Sequence, residues 1–588
     1  MEIKIDYSKD ALLDEFAIAT LKDRYMLPGE TSPQEAFARA AKAFADDQDH
    51  AQRLYDYVSN LWFMFATPVL SNGGTERGLP ISCFLNYVDD SREGITEHYV
   101  ENAYLSSFGG GIGGTWSDVR SQGTKTSKGS ESTGIIPFIG VVDREMLAFS
   151  QGVTRRGSYA AYLHMSHPEI EEFLDIRKPT GGDSNRKSIN LHHAVVVPDV
   201  FMELIYSATK LDNFDDSWEL VDPHTGQVKK TVSARALWVK LLQNRMETGE
   251  PYIMFEDAVN SELPEFQKKL GLQVNHSNLC SEITLPTNDE RTAVCCLSSV
   301  NLEYFDEWKN VPGFIPDLVR MLDNVLSSFI EKAPEQLHRA KFSAMRERSI
   351  GLGAMGFHAY LQKNSIPFES AMATGKNLQI FEHIKEKADE TTRRLAVEKG
   401  ACPDDDSCTV RNAHLLAIAP NASSSIICGN TSPSIEPFRA NAFTQKTKSG
   451  SNLLKNKFLE KLLGKYNKNT DEVWRSITLN KGSVQHLDFL TDWEKDVYKT
   501  AVELNQSWVI EHASHRQPYI CQSQSLNLFF PPDVSKLDLH NVHMLAWAKN
   551  LKTLYYLRSE AISRAETVSS QVKREIIFEQ SDCLSCEG

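Results

Sequence analysis

Short apolar runs alternate with helical stretches through the middle of this chain, and this alternation restricts the possible folds more than any other feature. The helical stretches span 316–332 and 376–399, and Gly400 ends the second of them. Strands that alternate with helices predict an α/β barrel or a doubly wound sheet. The apolar runs are HHAVVVPDVFMELI, PYIMFEDAVN, EITLP, AVCCLSSVNL and HLLAIAP.

Residues 1–65 predict a small helical lobe that precedes this alternation. In SPQEAFARAAKAFA, Ser32 is placed as an N-cap, Pro33 as the first helical residue and Glu35 as the second half of a capping box. The following stretch, AQRLYDYVSNLWFMF, keeps the helical period. Near the other end of the chain, residues 454–515 are also largely helical by pattern.

The glycine- and serine-rich run SFGGGIGGTWSDVRSQGTKTSKGSESTG is too long and too polar for a core element, so we expect a ligand loop or a disordered segment there. Within it, Gly109, Gly111 and Gly114 match G-x-G-x-x-G, and Glu131 follows about 20 residues later. A dinucleotide fingerprint needs a strand before the glycines and an apolar helix after them, and neither is present. A turn that brings the backbone close to another ligand or element fits better.

Composition and charge exclude several classes of protein. With 41% apolar residues, 24% charged residues and a net charge of −15, the chain is an ordinary globular protein that is not suited to bind a nucleic-acid polymer. The N-terminus MEIKIDYSKD has no apolar signal region, and no stretch approaches the roughly 18 apolar residues of a membrane span. We therefore expect a cytoplasmic protein, whose ten cysteines serve catalysis or metal binding rather than a disulfide framework.

Three polar residues alternate in NHSNLCSEITLP, residues 275–286. In an extended backbone Asn278, Cys280 and Glu282 would share one face, where an amide, a thiol and a carboxylate could form a reaction centre. A half-buried strand edge would show the same alternation. The motif alone leaves both interpretations open.

Three other motifs are also ambiguous when each is taken alone. In PNASSSIICGNTSPSIEP, residues 423–425 predict either a helix start whose backbone N–H groups bind a phosphate or an ordinary serine-rich turn. Cys583 and Cys586 have the spacing of a redox pair or half a zinc site, and a mobile dithiol fits better because no second Cys or His pair lies nearby. The adjacent Tyr555 and Tyr556 would ordinarily be one buried and one exposed aromatic residue.

Together these motifs resemble the large, catalytic subunit of class I ribonucleotide reductase over essentially all 588 residues. SNLCSEITLP is similar to the finger loop of that family, ATPVLSNGG and ISCFL to its first barrel segment, and SQGVTRRGSYAAYL to its specificity loop. AVCCLSSVNL, GLGAMGFHAYL, PNASSSIICGNTSPSIEP, TLYY and CLSC come next in the order that the family has. The resemblance implies three parts. The helical lobe at residues 1–65 comes first, and residues 66–567 form a ten-stranded α/β barrel of two five-stranded halves with a central finger loop. Residues 568–588 form a flexible redox tail.

The resemblance also implies thiyl-radical reduction of ribonucleoside diphosphates to 2'-deoxyribonucleoside diphosphates. Cys280 would be the thiyl radical that abstracts the 3'-hydrogen of the ribose. Glu282 would be the general base for the 3'-hydroxyl proton, and Asn278 would hold the sugar hydroxyls.

Loss of the 2'-hydroxyl needs a proton and two electrons, which the resemblance assigns to Cys83 and Cys295. They would finish as a disulfide. Cys296 is adjacent, but the family's pattern, a cysteine followed by one residue, Leu and Ser, selects Cys295. Neighbouring residues of a strand face opposite sides, so only one of the two can reach Cys83.

The remaining partners are implied by the same resemblance. Tyr555 and Tyr556 would carry a radical from a separate metal- or radical-bearing small subunit, with no cofactor or metal bound in this chain. The tail thiols Cys583 and Cys586 would reduce the disulfide and exchange with thioredoxin or glutaredoxin. An adenosylcobalamin-dependent reductase is the main alternative, and a non-catalytic nucleotide-binding relative or a zinc-binding interaction protein are weaker ones.

Substrate and effector sites complete the prediction. A homodimer would bind deoxynucleoside triphosphate or ATP effectors at its interface. Because the chain starts at IDYSKDALLDEF, which resembles the segment after the ATP-cone domain of many relatives, we expect no overall on/off control by dATP. The substrate-binding candidates are Thr67, Ser82, Asn421, Ala422, Ser423, Ser424 and Ser425. The effector-binding candidates are Asp90, Ser91, Arg120 and Arg155.

Overall fold

The computed structural model describes residues 2–149, 157–211, 213–447 and 450–559. Three predicted site residues, Arg155, Cys583 and Cys586, lie outside these ranges. Within the ranges, no helix is both long enough and apolar enough to cross a membrane.

The described residues form strands β1 (Phe63–Phe65), β2 (Cys83–Tyr87), β3 (Gly111–Thr115), β4 (Ser158–His164), β5 (His192–Val197), β6 (Ser217–Val221), β7 (Val228–Ser233), β8 (Tyr252–Phe255), β9 (Ala293–Asn301), β10 (Ile350–Met355), β11 (Ala442–Thr447), β12 (Gly450–Lys455), β13 (Leu528–Phe530), β14 (Thr553–Leu554) and β15 (Leu557–Ser559).

The helices are α1 (Glu15–Arg24), α2 (Pro33–Phe44), α3 (Gln48–Ser59), α4 (Thr67–Asn72), α5 (Arg92–Ser107), α6 (Ile135–Ala148), α7 (Ile170–Leu174), α8 (Asp199–Lys210), α9 (Ala234–Thr248), α10 (Glu256–Ser261), α11 (Glu265–Lys269), α12 (Phe305–Trp308), α13 (Phe314–Lys332), α14 (His338–Glu347), α15 (Phe357–Lys363), α16 (Ala371–Lys399), α17 (Ala422–Ile427), α18 (Lys457–Lys465), α19 (Asp471–Leu479), α20 (Asp492–Val497), α21 (Gln506–Arg516) and α22 (Lys536–Ala548). Short 3-10 turns span Tyr7–Leu12, Ser184–Arg186, Leu302–Tyr304, Glu335–Leu337 and Gln517–Tyr519.

The N-terminal part of the chain folds into the predicted helices α1 to α3. At the start of α2 the Ser32 hydroxyl accepts from the Gln34 amide at 3.1 Å, and the Ser32 amide donates to the Glu35 carboxylate at 3.4 Å, so the predicted capping box is present. Phe37 and Phe44 on the inner face of α2 are buried. The strand β1 then leaves this lobe and pairs antiparallel with β9, which attaches the lobe to the central sheet.

Five parallel strands form the first half of the barrel. They are β2, β3, β4, β5 and β8, in that order across the sheet. Helices connect them along the chain, as parallel pairing requires: α5 follows β2, α6 follows β3, and α8 and α9 follow β5. Every residue of β3 and β8 is buried, because both faces of the sheet are covered.

Five further strands form the second half. β9 pairs in parallel with β10, and two extended segments, 414–418 and 522–526, continue from β10 through parallel bridges. The Tyr555 amide donates to the Leu526 carbonyl at 2.9 Å and adds the segment that contains β14. The halves meet where β2 pairs antiparallel with β9 and where β8 pairs antiparallel with β14. The ring therefore closes, and the predicted ten-stranded barrel of two five-stranded halves is confirmed.

The chain between α11 and β9 crosses the interior of this ring. Residues 276–287, which we call the finger loop, are all buried although they form no helix or strand. The loop contacts both halves of the barrel. On one side, His276 Nε2 lies 3.1 Å from the carbonyl oxygen of Gly113 on β3. On the other, the Thr553 hydroxyl on β14 donates to the Ser281 carbonyl at 2.7 Å.

The structure corrects the prediction for the glycine-rich run. Its first part is not a ligand loop or a disordered segment, since it forms the fully buried barrel strand β3. Two glycines of β3 lie so close to neighbouring residues that no larger side chain would fit. A β-carbon on Gly113 would overlap the carbonyl oxygen of Ser277, and one on Gly114 would overlap the hydroxyl of Tyr159. Residues 108–110 form a short turn before β3, and residues 116–134 form a loop after it.

The structure also corrects the extended conformation predicted around Cys280. The finger loop turns at residues 279–281, and Ser281 has a φ of 66°, in the left-handed region. Asn278 and Glu282 therefore lie on the two sides of a turn rather than on one face of a strand. The apolar run EITLP belongs to this loop and does not form a strand.

Candidate active site

Asn278 organises the tip of the finger loop. Its Oδ1 atom accepts hydrogen bonds from the backbone amides of Glu282 at 3.1 Å and Ile283 at 3.2 Å. These two donors fix which way the side-chain amide points, since only its oxygen can accept them. The Nδ2 atom is buried and has no hydrogen-bond partner in the described part of the chain. It is a buried donor that a ligand in the barrel could accept from.

The strands around the loop hold its backbone in place. The Tyr162 hydroxyl on β4 donates to the Asn278 carbonyl at 2.7 Å. From the opposite half of the barrel, the Ser525 hydroxyl lies 2.6 Å from the Cys280 carbonyl and 3.2 Å from the Glu282 carboxylate. The positions of Cys280 and Glu282 are therefore set by hydrogen bonds from both halves of the barrel.

Cys83 and Cys295 are directly opposite residues of the antiparallel strands β2 and β9. Opposite Cα atoms of such strands lie about 4.5–5.5 Å apart, within the range that a disulfide spans. The neighbour Cys296 points the other way, because its Sγ atom lies 3.3 Å from the Leu322 carbonyl on α13. Cys295, not Cys296, therefore faces Cys83.

The surroundings of Cys295 favour a neutral thiol. Burial raises the pKa of Cys295 well above its ordinary value, and the neighbouring Cys296 and Cys83 raise it further. A thiol with a raised pKa keeps its proton at neutral pH, so Cys295 is held in the thiol form.

The cysteine pair lies next to the finger loop. Gln522 Nε2 lies 3.7 Å from Cys295 Sγ, and the amide of the following residue, Ser523, donates to the Glu282 carbonyl at 2.9 Å. On the other side of the pair, β3 is the next strand after β2 and touches the loop through Gly113. The pair and the loop therefore share the same part of the barrel interior.

Thr67 and Ser82 lie close to the same cysteines. Ser82 lines a small internal cavity together with Cys83 and Cys295, and the residues on either side of Thr67 line it too. Thr67 itself is the first residue of α4, is buried, and has its hydroxyl 3.1 Å from that of Tyr25. The structure thus brings both candidates to the cysteine pair.

The predicted phosphate-binding residues 421–425 surround the N-terminus of α17. The Asn421 carbonyl accepts the first helical hydrogen bond, from the Ser425 amide at 3.0 Å, so the amides between them precede the helical ladder. The Asn421 side chain donates to the Ser299 hydroxyl on β9 at 2.9 Å. Ser299 shares a face of β9 with Cys295, about 13 Å along the strand at four residues' rise. Helix and cysteines thus lie along one side of β9.

Tyr555 and Tyr556 are both buried, whereas the sequence alone predicts one exposed ring. Their ring centroids lie 4.4 Å apart. Tyr252 on β8 packs against both, with centroid distances of 4.7 Å and 5.0 Å. Leu279 and Cys280 of the finger loop belong to the same buried cluster. The aromatic cluster therefore reaches the loop that carries the candidate radical cysteine.

Comparison with known families agrees with this geometry. A model of the ribonucleotide reductase barrel domain matches residues 81–407 and 406–557, and a model of the all-alpha domain of ribonucleotide reductase matches residues 11–78. The chain belongs to the ribonucleotide reductase family. Within that family it is an oxidoreductase of deoxyribonucleotide synthesis.

The relatives of this reductase chain are large subunits. It is 45% identical to the ribonucleoside-diphosphate reductase large subunit of Invertebrate iridescent virus 3 over the full length of both chains. It is 47% identical over 92% of each chain to the putative large subunit of Frog virus 3. A solved class Id ribonucleotide reductase alpha subunit of Actinobacillus ureae matches with a TM-score of 0.82 and 36% identity, over 95% of this chain and 99% of that one. None of these three supports the cobalamin-dependent alternative.

The predicted effector residues of the reductase also come together. Both Asp90 carboxylate oxygens lie 3.0 Å from Arg120 Nε, and the His224 ring contacts the same carboxylate at 3.0 Å. The Ser91 hydroxyl caps α5 by accepting from the Gly94 amide at 2.9 Å. This cluster lies at the N-terminus of α5, on the outside of the barrel.

Several residues that contact the site were not predicted. Their sequence signal is weak because each depends on a distant partner, although the alternating polar run CQSQS in a barrel segment could have marked Ser523 and Ser525. The unpredicted residues around the loop and the tyrosines are Tyr162, Gln522, Ser523, Ser525, Tyr252, His192, Arg177 and Glu250.

Within the described ranges, no group of three or more His, Cys, Asp or Glu residues is placed to hold a metal ion.

Proposed function

We propose that this chain reduces ribonucleoside diphosphates to 2'-deoxyribonucleoside diphosphates through a thiyl radical on Cys280. The observation that carries the proposal is the placement of Cys83 directly opposite Cys295, beside the finger loop that holds Cys280. Diphosphates are the proposed substrates because the viral relatives are named ribonucleoside-diphosphate reductases.

In the first step the Cys280 radical takes the 3'-hydrogen atom of the ribose and becomes a thiol. Glu282 accepts the 3'-hydroxyl proton, and Asn278 donates from Nδ2 to a sugar hydroxyl. The orientation of the Asn278 amide supports this role, because its oxygen is already occupied by two backbone donors.

In the second step Cys83 and Cys295 supply one proton to the departing 2'-hydroxyl, and the two thiols together supply two electrons. The 2'-hydroxyl leaves as water, the second thiol proton passes to the reduced sugar carbon, and one S–S bond forms. The Cys280 radical is regenerated when the 3'-hydrogen returns to the sugar, and Glu282 gives the proton back to the 3'-oxygen. The raised pKa of Cys295 supports its entering this step as a protonated thiol.

The substrate phosphates are placed at residues 421–425, with Thr67 and Ser82 at the sugar. The amides that precede the helical ladder of α17 suit an anion. Ser82 supports the placement because it lines the cavity next to Cys83.

We place the source of the radical in a separate small subunit, with Tyr555 and Tyr556 as the route to Cys280. The ring contacts of these tyrosines and their shared cluster with Cys280 support this route. The tail thiols Cys583 and Cys586 would then reduce the Cys83–Cys295 disulfide and exchange with thioredoxin or glutaredoxin.

A homodimer that binds nucleotide effectors is supported by α5 and α6. These two packed helices expose apolar side chains that a second copy could cover. Asp90, Ser91 and Arg120, the predicted effector residues, lie at the start of α5, and Arg155 is assigned to the loop that links effector and substrate. The exposed apolar residues are Val100, Tyr104, Val141, Leu147 and Phe149.

We also place the protein in the cytoplasm. Ten cysteines in a chain of 588 residues are too few for a disulfide framework, which suits the reducing conditions of that compartment.

The decisive test measures deoxynucleotide formation from ribonucleoside diphosphates with dithiothreitol and effectors. One reaction contains the small subunit encoded beside this gene, and another contains adenosylcobalamin alone. Product only with the small subunit supports the proposal and the tyrosine route. Product with cobalamin alone would keep the cysteine chemistry but contradict the assignment of Tyr555 and Tyr556.

A further inference from the structure

A buried charged network touches the phenol of Tyr556. His192, the first residue of β5, has its Nδ1 atom 3.3 Å from the Tyr556 hydroxyl and 2.6 Å from Glu250 Oε1. Arg177 pairs with the same Glu250 oxygen, and its Nη1 atom lies 3.5 Å from His192 Nδ1. The other Glu250 oxygen accepts from the His193 amide at 3.1 Å.

Glu250 is ionised in this network. Burial alone would raise the pKa of this carboxyl, but the Arg177 guanidinium and His192 outweigh burial and hold the pKa well below its usual value. A carboxylate oxygen and an unprotonated ring nitrogen are both acceptors and would repel each other at 2.6 Å. The His192 Nδ1 atom must therefore carry a proton, which Glu250 fixes in place.

We propose that His192 is a positioning residue for Tyr556: its Nδ1–H, which points chiefly to Glu250, is shared with the phenol oxygen at 3.3 Å, and His192 does not accept the phenol proton. The inference rests on the proposed role of Tyr556 in the radical route. Nδ1 is already protonated and the Glu250 carboxylate is already bonded to Arg177 and His192, so neither group takes up the phenol proton. When Tyr556 is oxidised, its electron passes to the oxidising radical of the small subunit and its proton passes to solvent water.

Other described residues also pack against the Tyr556 ring. The Arg558 guanidinium lies over the face of the ring, 4.1 Å from its centroid, and Tyr252 and Tyr555 contact its faces and edges. Within the described ranges, the charged and titratable groups that face His192 and Tyr556 are Arg177, Glu250, His193, Tyr252, Tyr555 and Arg558.

Two substitutions separate a positioning role from a proton-accepting role. His192→Ala removes the donor, whereas His192→Asn places an amide N–H near the position of Nδ1 but cannot take up a proton. We expect His192→Ala to lower turnover about tenfold, the factor that loss of one net hydrogen bond gives. We expect His192→Asn to keep turnover within about threefold, with the pH profile of the unchanged protein. His486→Ala, at a half-exposed histidine outside the barrel, is the matched control.

Two results with the His192 variants would overturn the inference. Equal losses in His192→Ala and His192→Asn, with substrate affinity and thermal unfolding unchanged, would show that His192 accepts the proton and overturn the inference. Full turnover in His192→Ala would also overturn it. Tyr556→Phe is assayed in parallel with the small subunit present. If Tyr556→Phe keeps full turnover, the radical route of the proposed function is contradicted. If Tyr556→Phe loses turnover while the His192 variants keep it, the radical route stands and only the role of His192 is contradicted.

Discussion

Gly113 on β3 touches the backbone of Ser277 in the finger loop so closely that a β-carbon at position 113 would overlap the Ser277 carbonyl oxygen. Gly113→Ala must therefore displace the loop, and a shift of about 1 Å at a reacting group costs about a hundredfold in rate. We expect this loss in the deoxynucleotide assay, with unchanged far-UV circular dichroism. Gly375→Ala is the control, because Gly375 lies in α16 with no atom near the added methyl group, and it should keep full activity.

The two adjacent cysteines of β9 should differ sharply in function. Cys295→Ser removes the thiol that faces Cys83, and we expect turnover to fall about 10²–10⁴-fold, the usual contribution of a positioned acid. Cys296→Ser changes a thiol that faces α13 and should stay within about threefold of the unchanged protein. Thiol titration after turnover without an external reductant should show four thiols lost in the unchanged protein, two from Cys83 and Cys295 and two from the tail, and none in Cys295→Ser. Similar rates for the two variants would contradict the assignment.

Asn278→Asp tests the donor at the loop tip. An aspartate keeps an oxygen for the amides of Glu282 and Ile283 but loses the Nδ2–H donor. We expect substrate affinity and turnover together to fall about 10–100-fold, with little change in the thermal midpoint. Asn278→Ala loses both functions and should also unfold at a lower temperature. A fully active Asn278→Asp would show that the substrate does not use this donor.

Glu347 predicts a pH dependence of stability. Burial raises the pKa of this carboxyl to about 7, although the hydroxyls of Ser343 and Ser349 bond it at 2.9 Å and 3.1 Å. The folded state therefore binds the proton more tightly than the unfolded state. The resulting stability is present below about pH 4.5 and is lost as pH rises to about 7, by roughly 3 kcal/mol.

Unfolding of the unchanged protein and of Glu347→Gln, followed at pH 5 and at pH 8, checks this prediction. Glutamine is neutral at both values, so the variant should be more stable relative to the unchanged protein at pH 8 than at pH 5. An equal difference at both pH values would show that Glu347 does not titrate in this range.

The exposed apolar face of α5 and α6 predicts the dimer interface. Leu147 on α6 is 59% exposed, and Leu147→Asp should convert the effector-bound dimer to a monomer in analytical ultracentrifugation. The response of substrate choice to deoxynucleoside triphosphates should be lost with it. Leu479→Asp, at a position on α19 that is 78% exposed, should leave the dimer intact. A monomer in both variants would point to general destabilisation instead.

Local rules predicted the parts of the fold that neighbouring residues determine. The capping box at Ser32 and the end of α16 at Gly400 depend on residues within one helical turn. The opposite directions of Cys295 and Cys296 come from the two-residue period of a strand.

Three features could not be predicted from the sequence, for physical reasons. β3 carries glycines, so it shows no apolar period, and its burial is imposed by the strands and the loop around it. The contact of His192 with Tyr556 joins residues that are 364 positions apart in the chain, and no local pattern records such a pair. The turn at Ser281 is likewise fixed by distant hydroxyls, including that of Thr553.

The segment with Tyr555 and Tyr556 is also the last strand needed to close the barrel, between β8 and the segment 522–526. Until this segment pairs, β8 and the segment 522–526 each have an open edge with which another strand could pair. The chain must therefore be synthesised through Tyr556 before the ring can seal. The pairing of this segment, late in folding, removes the strand edges at which copies could aggregate and completes the aromatic cluster around Cys280. A chain that stops before this segment would have open strand edges and would lack the cluster.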